Sequence, residues 1–371
     1  MTVVHLVPAM EQGGVESVVC DLNRVVVGAG WRSVVISKGG RLAERIASDG
    51  GRHVVMDLKS KNPLTYFSRA LKLRRKLREL AAEDAKLLIC AHSRVPAWLF
   101  VWANRTLGLP WITYAHGANS VSRYSAVMTR GDLVVAPSKF LADFLLENDG
   151  EGRGKRERLR VISPCVDLDR FDPGNLDKTF VEAKRREWGI EPKAYVTMSV
   201  GRISPVKGLA NVLRDFAATR RSQGKLIIVG GADARHAGHL DELKALAKEL
   251  GVEGSVVFAG AQSKIPECLS LADEVVVGNK EKPESFGLAV VESLAMGKPV
   301  RLLRNFGGAA EILAAVDAAG ASGPREAVSN LYSFDTMAAK TLKAYSELVS
   351  IDPVEVIASS VTRNANESRI A

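Results

Sequence analysis

The stretch Thr2-Val-Val-His-Leu-Val7, then Gly13-Gly14, then Val15 to Val27, decides the fold. Its first part is a short, mostly β-branched apolar run, which reads as a strand buried on both faces. The glycine pair reads as a tight loop, and the residues after it carry helical spacing. The same unit recurs down the chain. Strand signals return at Ser33–Ser37, His53–Met56, Leu87–Cys90, Trp111–Tyr114 and Leu133–Ala136, with helical patterns at Leu64–Ala82, Pro96–Leu107 and Lys139–Asn148. A polar, basic segment from Asn148 to Arg160 leads to one more strand, Arg160–Ser163. Pro164 to Asn175, with its Pro, Gly and Asp residues, reads as a linker. A second series follows, with strands at Ala194–Val200, Lys225–Val229, Ser255–Ala259, Glu274–Gly278 and Pro299–Leu303. Its helices fall at Leu209–Ala218, Leu240–Leu250 and Leu288–Met296, and Ser333–Val349 forms a helical tail that frays from Asn364. Strands that alternate with helices predict parallel βαβ units. The expected class is therefore α/β, with two Rossmann-like doubly wound parallel-sheet domains facing across a cleft. Binding loops are expected beyond the carboxyl ends of the strands.

Composition agrees with two domains. The chain has 371 residues, 46% of them apolar and 25% charged, which excludes a disordered or fibrous protein. The longest apolar run, Val95–Ala103, falls far short of the ~18 residues a membrane span needs. No basic segment precedes the first apolar run, which speaks against a secretory signal. Cys20, Cys90, Cys165 and Cys268 are widely separated and read as reduced thiols of a cytoplasmic protein. The net charge of +9 points to an anionic partner without naming it.

Two segments carry chemistry. Gly201-Arg202 follows a strand directly, and Lys207-Gly208 lies just beyond. A glycine at a strand end with two cations entering a helix suits a phosphate group, since Arg forks onto a diphosphate and Lys adds a point charge. A solvated basic turn is the plain alternative. The second segment is Pro283-Glu284-Ser285-Phe286-Gly287-Leu288, with Glu292 in the helix that follows. Gly287 lets backbone N–H groups around Phe286 and Leu288 face a ligand at a helix start. Glu292, set among Val290, Val291, Leu294 and Ala295, needs a partner, and a carboxylate can accept two hydrogen bonds from vicinal ribose hydroxyls. An exposed helix stripe is the alternative for this residue.

Together these segments resemble the retaining family-4 glycosyltransferases of GT-B fold (glycosyl transferases group 1). Gly13-Gly14-Val15-Glu16 resembles the family's first glycine loop, and His116-Gly117 its acceptor-side histidine. Val166-Asp167 with Phe171 resembles its interdomain connection, and Gly307-Gly308 with Glu311 its last glycine loop. Within the family, His92-Ser-Arg94-Val-Pro96-Ala-Trp98 and the Pro283–Gly287 segment are similar to bacterial transferases of lipopolysaccharide core or surface glycans. The resemblance implies an N-terminal acceptor-side domain over 1–165, a linker over 166–178, a nucleotide-sugar domain over 179–332 and a tail over 333–371 that packs back on the first domain. It implies a UDP- or GDP-linked sugar donor, a glycan or lipid-linked acceptor, no cofactor and no metal. Arg202 and Lys207 would neutralise the donor diphosphate, Glu292 would hold the ribose, and Glu284 the hydroxyls of the transferred sugar. Amides near Ser285, Phe286, Gly287 and Leu288 would hold sugar and phosphate, with Gly201 allowing close approach. Gly13 and Gly14 would close against the donor phosphate, and His116 beside Gly117 would lie near the anomeric carbon. Arg301 and Arg304 depart from the family's usual small or apolar residues, and the stretch after Glu311 lacks its usual glycines.

Other signals carry less. Asp167 and Asp169 have metal-pair spacing but lie in the linker, and His236 with His239 make a poor zinc set. Ser138 lies in no nucleophile elbow, which excludes a hydrolase triad. His5, inside an apolar strand, reads as a core histidine. Arg69, Lys72, Arg74, Arg75, Lys76 and Arg78 share one helix with Tyr66, Phe67 and Leu71, a composition that suits an anionic membrane face as well as plain solvent. Arg153, Lys155, Arg156, Arg158 and Arg160 form a second basic run. No recognition motif supports nucleic-acid binding. A nucleotide-sugar epimerase or hydrolase, and a silent nucleotide-sugar-binding subunit, are the alternative functions.

Overall fold

The protein is described here from a computed structural model covering residues 1–11, 13–60, 62–148, 156–219, 223–232, 236, 238–279 and 283–349. Arg153 and Lys155 of the second basic run, and the tail from Asn364, lie outside the described residues. The chain divides into two compact units, Met1–Cys165 together with the segment from Phe334, and Val166–Ser333.

The first unit holds a seven-stranded, all-parallel sheet. Its strands are β1 (Thr2–Leu6), β2 (Arg32–Ser37), β3 (Arg52–Val55), β4 (Leu87–Ala91), β5 (Trp111–Tyr114), β6 (Leu133–Ala136) and β7 (Leu159–Val161), in the order β3-β2-β1-β4-β5-β6-β7. Side chains alternate across the pleat, so the inner strands β1, β4 and β5 feed a core on each face. On one face Val3, Leu88, Cys90, Ile112 and Tyr114 pack on Leu22 and Val26 of the helix Gly14–Gly28. Leu342 and Tyr345 of the helix Phe334–Val349 complete that face. On the other, Val4, Leu6, Ile89 and Ala91 pack on Leu73, Leu77 and Phe100.

The second unit holds five parallel strands: β8 (Tyr195–Val200), β9 (Gly224–Val229), β10 (Val256–Gly260), β11 (Glu274–Val277) and β12 (Val300–Leu302), in the order β10-β9-β8-β11-β12. Met198, Ile227 and Val275 face Val290, Val291, Leu294 and Ile312, while Leu226, Ile228 and Val276 face Val212, Leu213 and Leu243. In both sheets the winding reverses beside the first strand, between β1 and β4 and between β8 and β11. Such switch points open a crevice beyond the strand ends, where ligands bind in doubly wound folds.

Several segments differ from the sequence reading. The stretch expected as a linker contributes Val166 and Phe171 to the second core, and the Phe171 and Leu168 carbonyls accept hydrogen bonds from Arg325. Asp177 caps an unexpected helix, Lys178–Glu187, by accepting from the Phe180 amide at 3.0 Å. The stretch after Gly307 forms the helix Gly307–Ala318. Arg301 is an internal tie: its guanidinium grips Asp215 at 2.8 and 3.0 Å and reaches the buried Glu274 at 3.2 Å. Arg304 lies over the Phe306 ring at 4.7 Å. On the basic helix, now Tyr66–Glu83, Arg69 is buried and donates to the Ser60, Asn62 and Thr65 carbonyls, so it leaves the expected cationic face.

Candidate active site

The loops after β8 and β11 meet at the switch point of the second unit. Gly201 has φ +149°, and a Cβ there would press on the Lys207 side chain at 3.2 Å. After a short turn at Pro205–Lys207, Gly208 takes a left-handed conformation (φ +63°) against the Gly278 carbonyl, where any Cβ would collide. Asn211 and Asn279 tie the two loops together, donating to the carbonyls of Gly278 at 3.1 Å and Val206 at 2.6 Å. This packing carries Lys207 across to β11, where its ammonium forms an ion pair with Glu284. Lys207 and Glu284 both line a small recess with Gly201, Gly278 and Asn279.

Gly287 opens the helix Leu288–Ala295 with φ +112°, and its neighbours Ala309 and Glu284 leave little room for a Cβ. A helix start leaves its first amides without intrahelical partners, so the backbone from Phe286 to Leu288 is a natural anion seat. The Phe286 side chain itself turns into the core, edge-on to Tyr332 at 5.6 Å. Gly308 donates its amide to the Glu284 carbonyl at 2.8 Å, and a Cβ on Gly308 would strike the Ser285 carbonyl. Glu292 is half-buried one turn into the helix. Burial pushes its carboxyl up to about 7, opposed by the positive charges of Arg170 and Lys207. Arg170 sits in the expected linker and gave no sequence signal as a site residue. Arg202 is exposed on the loop that holds Gly201 and Lys207.

The remaining candidates lie in the first unit. Gly13 precedes the helix Gly14–Gly28 in extended conformation, with its carbonyl accepting from the Ser17 amide and hydroxyl. A Cβ on Gly13 would crowd the Glu16 carboxylate. His116 and Gly117 follow β5, half-buried. His116 Nε2 meets His92 Nδ1 at 3.0 Å, and His92 Nε2 meets His5 Nδ1 at 3.0 Å. Burial lowers His5 to about 3 and His116 to about 4, and places His92 far below its ordinary value, so all three imidazoles are neutral. His5 and His92 escaped the sequence reading as site residues. The signal that could find them is parity: each lies an even number of residues from core positions on one face of adjacent strands. Among the described residues, no three His, Cys, Asp or Glu converge to hold a metal ion.

Residues 12–170 match the model of Glycosyltransferase Family 4, and residues 180–329 that of Glycosyl transferases group 1. The chain belongs to the GT-B glycosyltransferase superfamily. A D-inositol 3-phosphate glycosyltransferase of Mycobacterium sp. (strain KMS) is 37% identical over 145 residues, 38% of this chain and 31% of the relative. The chain thus spans about a third of the length of that curated relative. Among solved structures, a glycosyltransferase from Rickettsia africae ESF-5 shares the GT-B fold at TM-score 0.80 and 24% identity, covering 94% of this chain and 98% of that one. Anabaena Alr3699/HepE, solved in complex with UDP and glucose, superposes with TM-score 0.69 at 19% identity, with both chains covered in full.

Proposed function

We propose that this GT-B protein is a retaining glycosyltransferase that moves a sugar from a nucleoside diphosphate to an acceptor hydroxyl. The observation that carries the reading is the Lys207–Glu284 ion pair at the β8/β11 switch point, beside the helix opened by Gly287 and containing Glu292. An incoming diphosphate competes with Glu284 for Lys207, with Arg202 on the same loop adding its charge. The freed Glu284 carboxylate then accepts from hydroxyls of the sugar, and Glu292 from those of the ribose. Amides at Phe286–Leu288 hold phosphate and sugar oxygens. His116, with Gly13, Gly14 and Gly117, serves the sugar and acceptor side. As the glycosidic bond breaks, charge grows on the leaving phosphate, and cations fixed in advance stabilise it most in the transition state. The leaving phosphate oxygen takes the proton of the incoming hydroxyl, so no cofactor or metal is invoked.

For the acceptor, the mycobacterial relatives' name suggests a phosphorylated cyclitol, while the sequence motifs suggest a surface glycan on a lipid carrier, as in lipopolysaccharide. One feature favours the lipid-linked class and a peripheral membrane station. On the helix Tyr66–Glu83, Phe67 and Leu71 are exposed beside Lys72, Arg75 and Arg78. Apolar anchors ringed by cations suit an anionic lipid surface. The deciding experiment incubates the protein with a panel of UDP- and GDP-sugars, with and without both acceptor classes. An acceptor-dependent product with the donor's anomeric configuration supports the reading. Lys207→Ala and Glu284→Ala should each lower kcat by about a hundredfold or more. Wild-type rates in either variant would defeat the assignment, and a product formed without acceptor would mark an epimerase or hydrolase. Donor binding without turnover on any acceptor would mark a silent subunit.

A further inference from the structure

We propose that His5 and His92 are positioning residues that fix His116 as a hydrogen-bond donor, with its single ring proton on Nδ1 and directed at an oxygen of the bound sugar. The proposal deepens the transfer reading above and rests on it for the identity of the ligand. Its basis is topology. His5 lies on β1, His92 directly after β4 and His116 two residues after β5, and β1, β4 and β5 are neighbours in that order. His5 pairs in register with Cys90, two residues before His92, so the three rings step diagonally along one sheet face. Tyr114 stacks on His92 with ring centroids 4.7 Å apart and holds its plane. Tyr114 is held in turn by its hydroxyl contact with Tyr345 at 2.8 Å.

Each nitrogen-to-nitrogen contact needs one N–H and one lone pair, and a neutral imidazole has one of each. The chain of three rings therefore has two consistent arrangements. In one, every ring is protonated on Nδ1: His5 donates to His92, His92 donates to His116, and His116 Nδ1–H remains for a ligand. In the other every proton sits on Nε2, and His116 turns a lone pair outward. The two differ most at the buried end. His5 is fully buried and, among the described residues, its Nε2 has no hydrogen-bond partner. The second arrangement would seal an N–H there without an acceptor, the rarer and costlier orphan; the first leaves only a lone pair. Burial keeps the rings neutral, which excludes an extra proton that would blur the choice. His116 then cannot take a proton at Nδ1 as a general base. It recognises a lone pair, that of a sugar hydroxyl or ring oxygen.

The test is nitrogen NMR on the full chain with 15N-labelled histidine, supported by donor kinetics. In the wild type, His116, His92 and His5 should each show a protonated Nδ1 and an unprotonated Nε2. His92→Asn sets an amide N–H at the Nδ1 position and should keep His116 in that form, with kcat within about threefold of wild type. His92→Phe removes the donor, so His116 should drift to the Nε2–H form that free imidazole side chains favour. Its kcat should then fall by about tenfold to a hundredfold with the donor KM nearly unchanged. A wild-type spectrum with the proton on His116 Nε2 overturns the proposal without any variant, as does an unchanged His116 spectrum in His92→Phe. Because the tautomer is read without turnover, failure of the glycosyl-transfer reading itself would appear separately, as absence of product in the wild type.

Discussion

Under the proposed function Glu292 meets two opposed demands, one from folding and one from ligand binding. Its carboxyl is raised from 4.5 to about 7 by burial, so the folded protein prefers it protonated. Stability from this group is fully present below pH 4.5 and is lost as pH rises through about 7. Ribose hydroxyls, by contrast, prefer the carboxylate. Glu292→Gln should melt a few degrees above wild type at pH 8, with the gap closing toward pH 5, by calorimetry. Nucleotide affinity in the wild type should rise by roughly tenfold between pH 6 and 8, beyond any rise seen in the Gln variant. The histidines run the other way. Their lowered values favour folding above the ordinary 6.5, and that contribution is lost as pH falls from 6.5 toward about 4. Lys207 and Glu284 are legible in the sequence because each follows its own strand signal. The link from His116 to His92 and His5 is not, because it requires knowing that β4 lies between β1 and β5.

Loops and helices explain why some segments misread. Gly307-Gly308 looks like an open glycine loop, yet the missing side chains let a helix start press against the Pro283–Phe286 backbone. Lys178–Glu187 has no fully buried residue, so its sequence lacks the apolar stripe by which a helix is recognised. The arginine at 301 stands in the sequence as a departure from the family's usual small or apolar residues. It is an ion-paired tie that satisfies Glu274, and its removal leaves that carboxylate buried. Arg301→Met should cost about 1–3 kcal/mol in urea unfolding while donor affinity stays near wild type. Gly208→Ala should behave differently. It places a Cβ in left-handed backbone against Gly278, costing about 1–2 kcal/mol or more, and displaces Lys207, so stability and donor binding fall together. On the helix Tyr66–Glu83, the composition foretold a cationic face but not that Arg69 would be spent on carbonyls. Phe67→Ser with Arg75→Gln and Arg78→Gln should weaken binding to anionic vesicles several-fold, with donor hydrolysis retained. Binding unaffected by these changes or by salt would refute the membrane role.

For the whole molecule, the alternation of strand and helix revealed both sheets and their parallel sense. What it could not show is which covering helix belongs to which sheet, because burial does not record its partner in sequence. The helix Phe334–Val349 packs on the first unit, far along the chain from the strands it covers. Tyr345 is fully buried there, its hydroxyl meeting Tyr114 and Cys90. Tyr345→Ala should cost about 3–5 kcal/mol and speed hydrogen exchange of amides in β1, β4 and β5, leaving β8–β12 close to wild type.

The return of that helix sets an order of events during synthesis. A ribosome releases residues 166–333 as one uninterrupted block, so the second unit can assemble while the nascent polypeptide is still growing. The first unit must wait, with the part of its sheet face beside the helix Gly14–Gly28 uncovered, until Phe334–Val349 emerges. Of the two units, the one whose strands are made first is thus the last to be sealed.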